Sequence, residues 1–460
     1  MTKVNALDLF LRQRRFDLIF KYIYIKNKNK NIKFFEDLYA EHIRAFNNFH
    51  ERVPSDGIPK ESRQDFINSF DKLYDNIKKN GFDKKQGLIP VGENGEINDG
   101  AHRLTIAAIL GLEVDIKKEH INWLWDYKYF QNQNIDPYYS DYAALEYVKL
   151  NPNAYIVNLQ PVVSTKHDEQ VEHILEKYGF IYYKKNVDIT FNGLVNLKKL
   201  SYGSCWEKNC SWIGDIKNGF SGAVLHAKKS FGRNPLRVYV FVCDNLQKVV
   251  AAKKEIRELF NIGNFCVHIN DTREEAIELA ETYFNENSLH MINKRPYQYE
   301  DKHFDDMVTE LRNKIYECKI ELEDVCGAGS TPLDIYGIRK SNDLDFLYCG
   351  NQSFDIQTNT LSNHDSQLIY YPYDKKTIIY SPKNYFYYKG IKFINLDVLY
   401  KMKKNRNEKP KDVKDCKIIK SFKQRKVYRK SNFKILRKIK DGNKRTLVFC
   451  NFIKIKYTKR

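Results

Sequence analysis

The sequence predicts a multidomain protein of mixed α/β and α+β class. Three observations carry that expectation. The chain has 460 residues, which at about 150 residues per domain leaves room for about three domains. From residue 155 to 292, strand-like runs (AYIVNL, RVYVFVC, FCVHI) alternate with helix-like ones (DEQVEHILEKYG, LQKVVAAKKEIRELF, TREEAIELAETYF), the pattern of an α/β region. The flanking segments mix helices with single strands in no regular order, as α+β domains do. The expected divisions are 1–125, 126–298, 299–420 and a tail at 421–460. Apolar residues at 42% and charged residues at 29% exclude a mostly disordered chain and a membrane-embedded one.

Taken in order, residues 1–65 read as largely helical, with Phe35, Leu38, Ile43 and Phe46 at helix spacing. Next come a helix (FINSFDKLYDNIKKNGF), a strand (GLIPV), a turn (ENGEIND) and a second helix (AHRLTIAAILG). Residues 120–150 are rich in Trp and Tyr and read as a linker or subdomain. In the α/β region, Asp271 or Thr272 is expected at a helix N-cap, and His268 as a packed histidine. Gly222, Lys228 and Arg237 read as a phosphate-binding face or as solvated surface. Residues 300–420 open with the helix DDMVTELRNKIYECK, followed by several strands and a final helix. Neither an internal repeat nor a Pro- or Gly-rich linker marks the divisions.

Charge is concentrated at one end. Residues 401–460 hold 24 Lys/Arg and 4 Asp/Glu, a net of +20 out of +19 for the whole chain, so the rest is nearly balanced. This excludes a uniformly basic nucleic-acid binder. The tail is expected either to be solvated or to contact an anionic membrane surface or nucleic acid. No apolar run of about 18 residues is present, so no transmembrane helix is expected. The N-terminus lacks the apolar core of a secretory signal. The nine Cys lack zinc-site spacing and read as reduced thiols. The expected location is the cytoplasm, with the tail able to hold the chain at the inner membrane surface.

The densest chemistry lies in CGAGSTPLDIYGIRKSNDLDFLY, Cys326 to Tyr348. Asp343 and Asp345 alternate within an apolar run and so point to one side of a strand. Two carboxylates on one side call for a cation, and Mg²⁺ (or Mn²⁺) takes carboxylate and phosphate oxygens together. The Gly329-Ser330 turn offers N–H groups and a hydroxyl to a triphosphate. Arg339 can balance phosphate charge. This stretch resembles the polymerase-β-like nucleotidyltransferase superfamily, in its Gly-Ser, its spacer with Gly337, Arg339 and Ser341, and its Asp-x-Asp. The resemblance implies a nucleoside triphosphate (NTP) substrate, metal at Asp343 and Asp345, and a third carboxylate on a neighbouring strand. Asp355 (in FDIQTN) and Asp365 (in NHDSQLIYY) are both candidates, with His364 a contact for an acceptor phosphate. Downstream, Lys403, Arg406, Lys411, Asp412 and Asp415 resemble the helical end of small members of that superfamily. This implies that Lys411 or Arg406 contacts phosphate. Charge pairing is the equal alternative for Asp412 and Asp415.

A second motif, Asp99-Gly100-Ala101-His102-Arg103, opens an apolar helix. With the Ile-Pro-Val strand before it, the segment resembles the ParB/sulfiredoxin-like domain. The resemblance implies phosphate binding at Gly100, His102 and Arg103. A kinase would also need a base, for which Glu96 and Glu61 are candidates. The alternative is a structural turn in which Arg103 pairs with Asp99. The leading expectation is a Mg²⁺-dependent nucleotidyltransferase. It would act on a small phosphorylated acceptor, a sugar or polyol phosphate, in surface-polysaccharide biosynthesis, with the N-terminal domain as a companion kinase and the central region recognising the acceptor. A nucleic-acid-directed transferase (RNA modification or toxin) and a nucleotide-sensing scaffold are the alternatives.

Overall fold

The computed structural model describes residues 2–51, 59–82, 87–203, 210–407 and 410–424, together with three backbone strands within 436–458. The fold mixes helices with small sheets.

The N-terminal region runs β1 (Thr2–Asn5), α1 (Ala6–Leu11), α2 (Asp17–Asn27), α3 (Lys33–Asn47), α4 (Arg63–Asn80), β2 (Ile89–Gly92), α5 (Ala101–Ile109) and β3 (Glu113–Glu119). The strands form a small sheet in the order β1-β3-β2. Helix α2 is apolar on most sides and packs against α3 and α5. Helix α4 starts at a capping box, in which Ser62 and Asp65 satisfy each other's backbone N–H groups. The expected helix, strand, turn and helix of residues 66–110 are all present. Residues 120–150 form α6 (Tyr127–Asn132) and α7 (Pro137–Leu150).

The central region holds β4 (Ala154–Leu159), α8 (Asp168–Tyr178), β5 (Phe180–Val187), α9 (Phe191–Gly203), α10 (Ser221–Ser230), β6 (Leu236–Val242), α11 (Leu246–Phe260), β7 (Val267–Ile269), α12 (Arg273–Tyr283) and α13 (Glu286–Lys294). Its strands make an antiparallel sheet, β5-β6-β4-β7. Strand β6, LRVYVFV, is buried along its whole length, which explains its unbroken apolar run. Arg237 on that strand is fully buried and pairs with Asp168, so it offers no phosphate-binding surface. Thr272 caps α12, and His268 is buried against Glu275, both in line with the sequence.

The C-terminal region runs α14 (Lys302–Glu317), β8 (Val325–Gly327), α15 (Thr331–Ile335), β9 (Leu344–Tyr348), β10 (Leu361–Asn363), α16 (Lys375–Tyr380), β11 (Tyr385–Tyr388), β12 (Ile391–Ile394), α17 (Leu396–Arg406) and α18 (Pro410–Gln424). Its sheet has the order β10-β9-β8-β12-β11. Strands β9 and β8 are antiparallel, while β10 runs parallel to β9 and β12 parallel to β8. In the tail, β13 (Leu436–Asp441), β14 (Lys444–Phe449) and β15 (Ile453–Thr458) pair as a meander. The tail's expected contacts with anionic partners rest on side chains outside the described residues.

One apolar core runs from Ala6 to Ile419 through all three regions, with a smaller cluster around Tyr24, Tyr39 and Phe70. Helix α7 bridges the regions by packing on both α2 and α12. A charged seam joins them as well. Lys149 of α7 pairs with Glu281 of α12 and with Glu323, and Glu323 also pairs with Lys392 of β12. Among the described residues, no helix is long and apolar enough to cross a membrane.

Candidate functional site

The apolar run LDFLY becomes β9 because Leu344, Phe346 and Leu347 bury on the sheet. That leaves the intervening Asp345 half-buried on the other face of the strand, while Asp343 is exposed in the bend just before it. Antiparallel pairing of β8 with β9 then brings the Gly-Ser turn back over Asp345. Ala328 N–H donates to the Asp345 carbonyl at 2.7 Å. Gly329 has φ +59°, and a Cβ there would overlap Oδ2 of Asp345. Only glycine fits both the left-handed backbone and this approach. Ser330 follows at the start of α15, half-buried, and its hydroxyl has no hydrogen-bond partner among the described residues. Helix α15 spans only five residues. The turn therefore contributes individual groups rather than the field of a long helix.

The Gly329 N–H is itself engaged, donating to the Tyr371 hydroxyl at 3.3 Å. Tyr371 meets His364 Nδ1 at 2.8 Å, and His364 Nε2 lies 3.6 Å from Asp345 Oδ2. Ser362 donates to Asp345 Oδ1 at 2.9 Å. The phosphate-loop candidate and the Asp-x-Asp are thus linked through Tyr371 and His364. Burial lowers the His364 pKa against the opposing pull of Asp345, and it raises that of the Tyr371 phenol.

The predicted site residues divide into those brought together here and those placed elsewhere. The Gly329-Ser330 turn meets Asp345, with Asp343 near enough for its charge to act on His364. Arg339 comes to the rim but is clamped by both oxygens of Asp415, at 2.8 and 2.7 Å. Lys403 lies between Asp412 and Asp415 at 3.2 and 2.9 Å, and Arg406 pairs with Asp412 at 2.7 Å. Burial opposes the charged form of both aspartates. The hydrogen bonds and charges of Arg406, Lys403 and Arg339 outweigh it, so both carboxyls lie below their ordinary range. The charge-pairing alternative for Asp412 and Asp415 is therefore what the structure contains. Lys411 is exposed on the first turn of α18 and makes no ion pair among the described residues.

Asp355 and Asp365 require correction as partners of the Asp-x-Asp. Asp355 is exposed in the loop before β10, which is not a strand there. Asp365 follows β10 at the start of a tight helical turn and pairs with Lys375 at 2.8 Å. Both line a separate surface cavity of about 570 Å³ with Tyr348, Cys349 and Lys375. Sequence reasoning missed Ser362 and Tyr371. Strand β10 is three residues long and shows no readable periodicity, and Tyr371 sits in an irregular turn.

No cluster of three or more His, Cys, Asp or Glu able to hold a metal occurs among the described residues. An exposed carboxylate, Asp343, near a half-buried one, Asp345, still fits Mg²⁺, which keeps several waters and completes its shell with substrate phosphates.

The N-terminal motif has a different geometry. Gly100 takes φ +79° at the start of α5. His102 is turned inward, with Nε2 3.0 Å from the Tyr39 hydroxyl and its ring edge-on to Phe70 at 4.5 Å. Its expected role as an anion donor is corrected on that ground. Arg103 pairs with Asp99 at 3.5 Å, as the structural alternative held. Glu96 accepts the Arg14 backbone N–H on both oxygens, and the Glu61 backbone donates to Asp65. Neither candidate base hydrogen-bonds to the turn.

Compared with known proteins, the chain matches no family model, no curated protein and no solved structure.

Proposed function

We propose that the C-terminal region transfers a nucleoside monophosphate from an NTP to an acceptor, releasing pyrophosphate. One observation carries this reading: the Gly329-Ser330 turn is folded directly onto the carboxylate of Asp345. That brings the backbone of the turn against one of the two aspartates. Mg²⁺ or Mn²⁺ held by Asp343 and Asp345 supplies charge neutralisation on a triphosphate. Ser330 offers the triphosphate a free hydroxyl. Gly329 lets the chain approach without a side chain in the way. Ser362 and His364 fix the Asp345 carboxylate in one orientation.

Pyrophosphate release is the direct test. Each of the four NTPs is supplied with Mg²⁺ and a pool of acceptors. Release is expected with one NTP, and to fall at least 100-fold in Asp343→Asn and Asp345→Asn. Equal release from wild type and both variants would remove the proposal.

A further inference from the structure

We infer that the central region contains a second site, in which the side-chain amine of Lys198 captures a small aldehyde or ketone as an imine. The inference is independent of the transferase reading.

Lys198 lies on α9, is 3% exposed, and makes no hydrogen bond or ion pair among the described residues. A buried ammonium is costly unless a carboxylate pairs with it. Three further elements close around it. Helix α10 contributes His226, 5% exposed, whose Nε2 has no partner and whose Nδ1 meets the Ser230 hydroxyl at 3.4 Å. Strand β7 contributes His268, also buried. A charge on Lys198 would act on both rings and oppose their protonation, so the three side chains form one cluster. Helix α12 brings a carboxylate, Glu275, but its oxygens bond His268 Nε2 at 2.6 Å and the Asp271 N–H at 3.1 Å. The other lysines that act on these rings are engaged elsewhere. Lys229 lies over the Phe265 ring at 4.7 Å, and Lys253 bonds the Ile269 carbonyl and Asp271. With burial unopposed, the Lys198 pKa falls to about 7. At neutral pH a large share of this amine therefore carries a lone pair, whereas an ordinary lysine stays protonated.

The remaining lining is aromatic. The rings of Tyr202, Trp212 and Phe265 surround His226 at 5.7, 5.5 and 4.9 Å. The cluster reaches the surface at Trp212, which is 41% exposed. Its backbone is held by α10, where Gly222 comes so close that a Cβ would overlap the Trp212 carbonyl. A ligand entering beside Trp212 meets flat apolar walls, neutral imidazoles and one amine. A neutral amine in an apolar setting is a nucleophile suited to carbonyl carbon. Tyr202 stands one helical turn beyond Lys198 on the same face of α9. Its hydroxyl meets His268 Nδ1 at 3.3 Å, and His268 meets Glu275. That chain offers a route for the protons that imine formation moves.

In the reaction, the Nζ lone pair forms a bond to the carbonyl carbon and the carbonyl π pair moves onto oxygen. One amine proton passes to that oxygen, giving a carbinolamine. The carbon–oxygen bond then breaks, the nitrogen lone pair closes the C=N bond, and the second amine proton leaves with the oxygen as water. Nothing is oxidised or reduced.

The test treats the full-length chain at pH 7 with propanal or glyceraldehyde over a range of concentrations. Sodium borohydride then fixes any imine as a secondary amine, and peptide mass spectrometry locates it. Lys198 is expected to be modified at least 20-fold faster than the median exposed lysine, at a rate that saturates with aldehyde. Trp212→Ala is expected to weaken that saturation without changing the labelling of other lysines. Lys198→Met is expected to keep its melting temperature and to lose the fast phase. The wild-type pattern decides even if a variant fails to fold. Labelling that follows exposure, with Lys198 among the last residues modified, overturns the inference. Fast labelling of Lys198 that never saturates overturns it too, since the amine would then be reactive without a site for the carbonyl.

Discussion

Glu96 shows how strongly this fold perturbs a single side chain. Burial pushes its pKa up to about 7, against the pull of the Arg14 backbone and side chain. A carboxyl raised in the folded state adds stability in full below its unfolded value near 4.5. That stability is lost as pH rises through 7. Wild type is therefore expected to lose about 2 kcal/mol between pH 5 and 8 that Glu96→Gln does not lose, read as diverging urea midpoints. Parallel pH profiles for the two proteins would show that Glu96 is not the cause. Several side chains of the C-terminal site were legible in the sequence. Asp343 and Asp345 announce themselves as charges alternating in an apolar run, and Gly329-Ser330 as a turn at fixed distance. His102 was misread for a physical reason. The motif gives the residue and its place on the helix, but not that Tyr39 and Phe70 wait on the face it turns to.

At the level of elements, the joint between α17 and α18 is built on charge. Lys403 is 1% exposed and relies on two aspartates from the next helix. Asp415→Asn leaves that ammonium with a weakened partner and releases Arg339, for an expected cost of about 3 kcal/mol in urea unfolding. A loss under about 0.5 kcal/mol would mean that Asp412 suffices alone. Longer elements were readable in advance, α14 and α5 from their periodicity and β6 from its unbroken apolar run. Strand β5, FIYYKKNV, was missed because two lysines interrupt its alternation, and both are engaged, Lys184 by Asp168 and Lys185 by Asp141. Strand β10 was too short to show any pattern, which is why the third carboxylate was sought on Asp355 and Asp365.

For the whole molecule, composition and alternation foretold a mixed fold in several regions, but not how tightly the regions join. Pairings distant in sequence, such as Lys149 with Glu323, leave no local trace. They carry a prediction about fragments. Residues 299–424 expressed alone lose Lys149 from Glu323 and expose the α13-facing side of β11. Such a fragment is expected to bind a hydrophobic dye and to melt without a sharp transition, whereas the full chain melts cooperatively. A sharp melt from the fragment would show that it folds independently.

That charged seam also bears on how such a chain can evolve. Gene fusion and recombination exchange parts most easily where a part carries a finished surface. A crossover near residue 298 would instead separate Glu323 from Lys149, leaving the Glu323–Lys392 pair and the Lys149–Glu281 pair on opposite sides of the join. An incoming segment would have to bring, at the position of Glu323, a charge that complements Lys149 and is itself balanced as Lys392 balances Glu323. The regions of this protein are therefore expected to be inherited together and to diversify by substitution rather than by exchange.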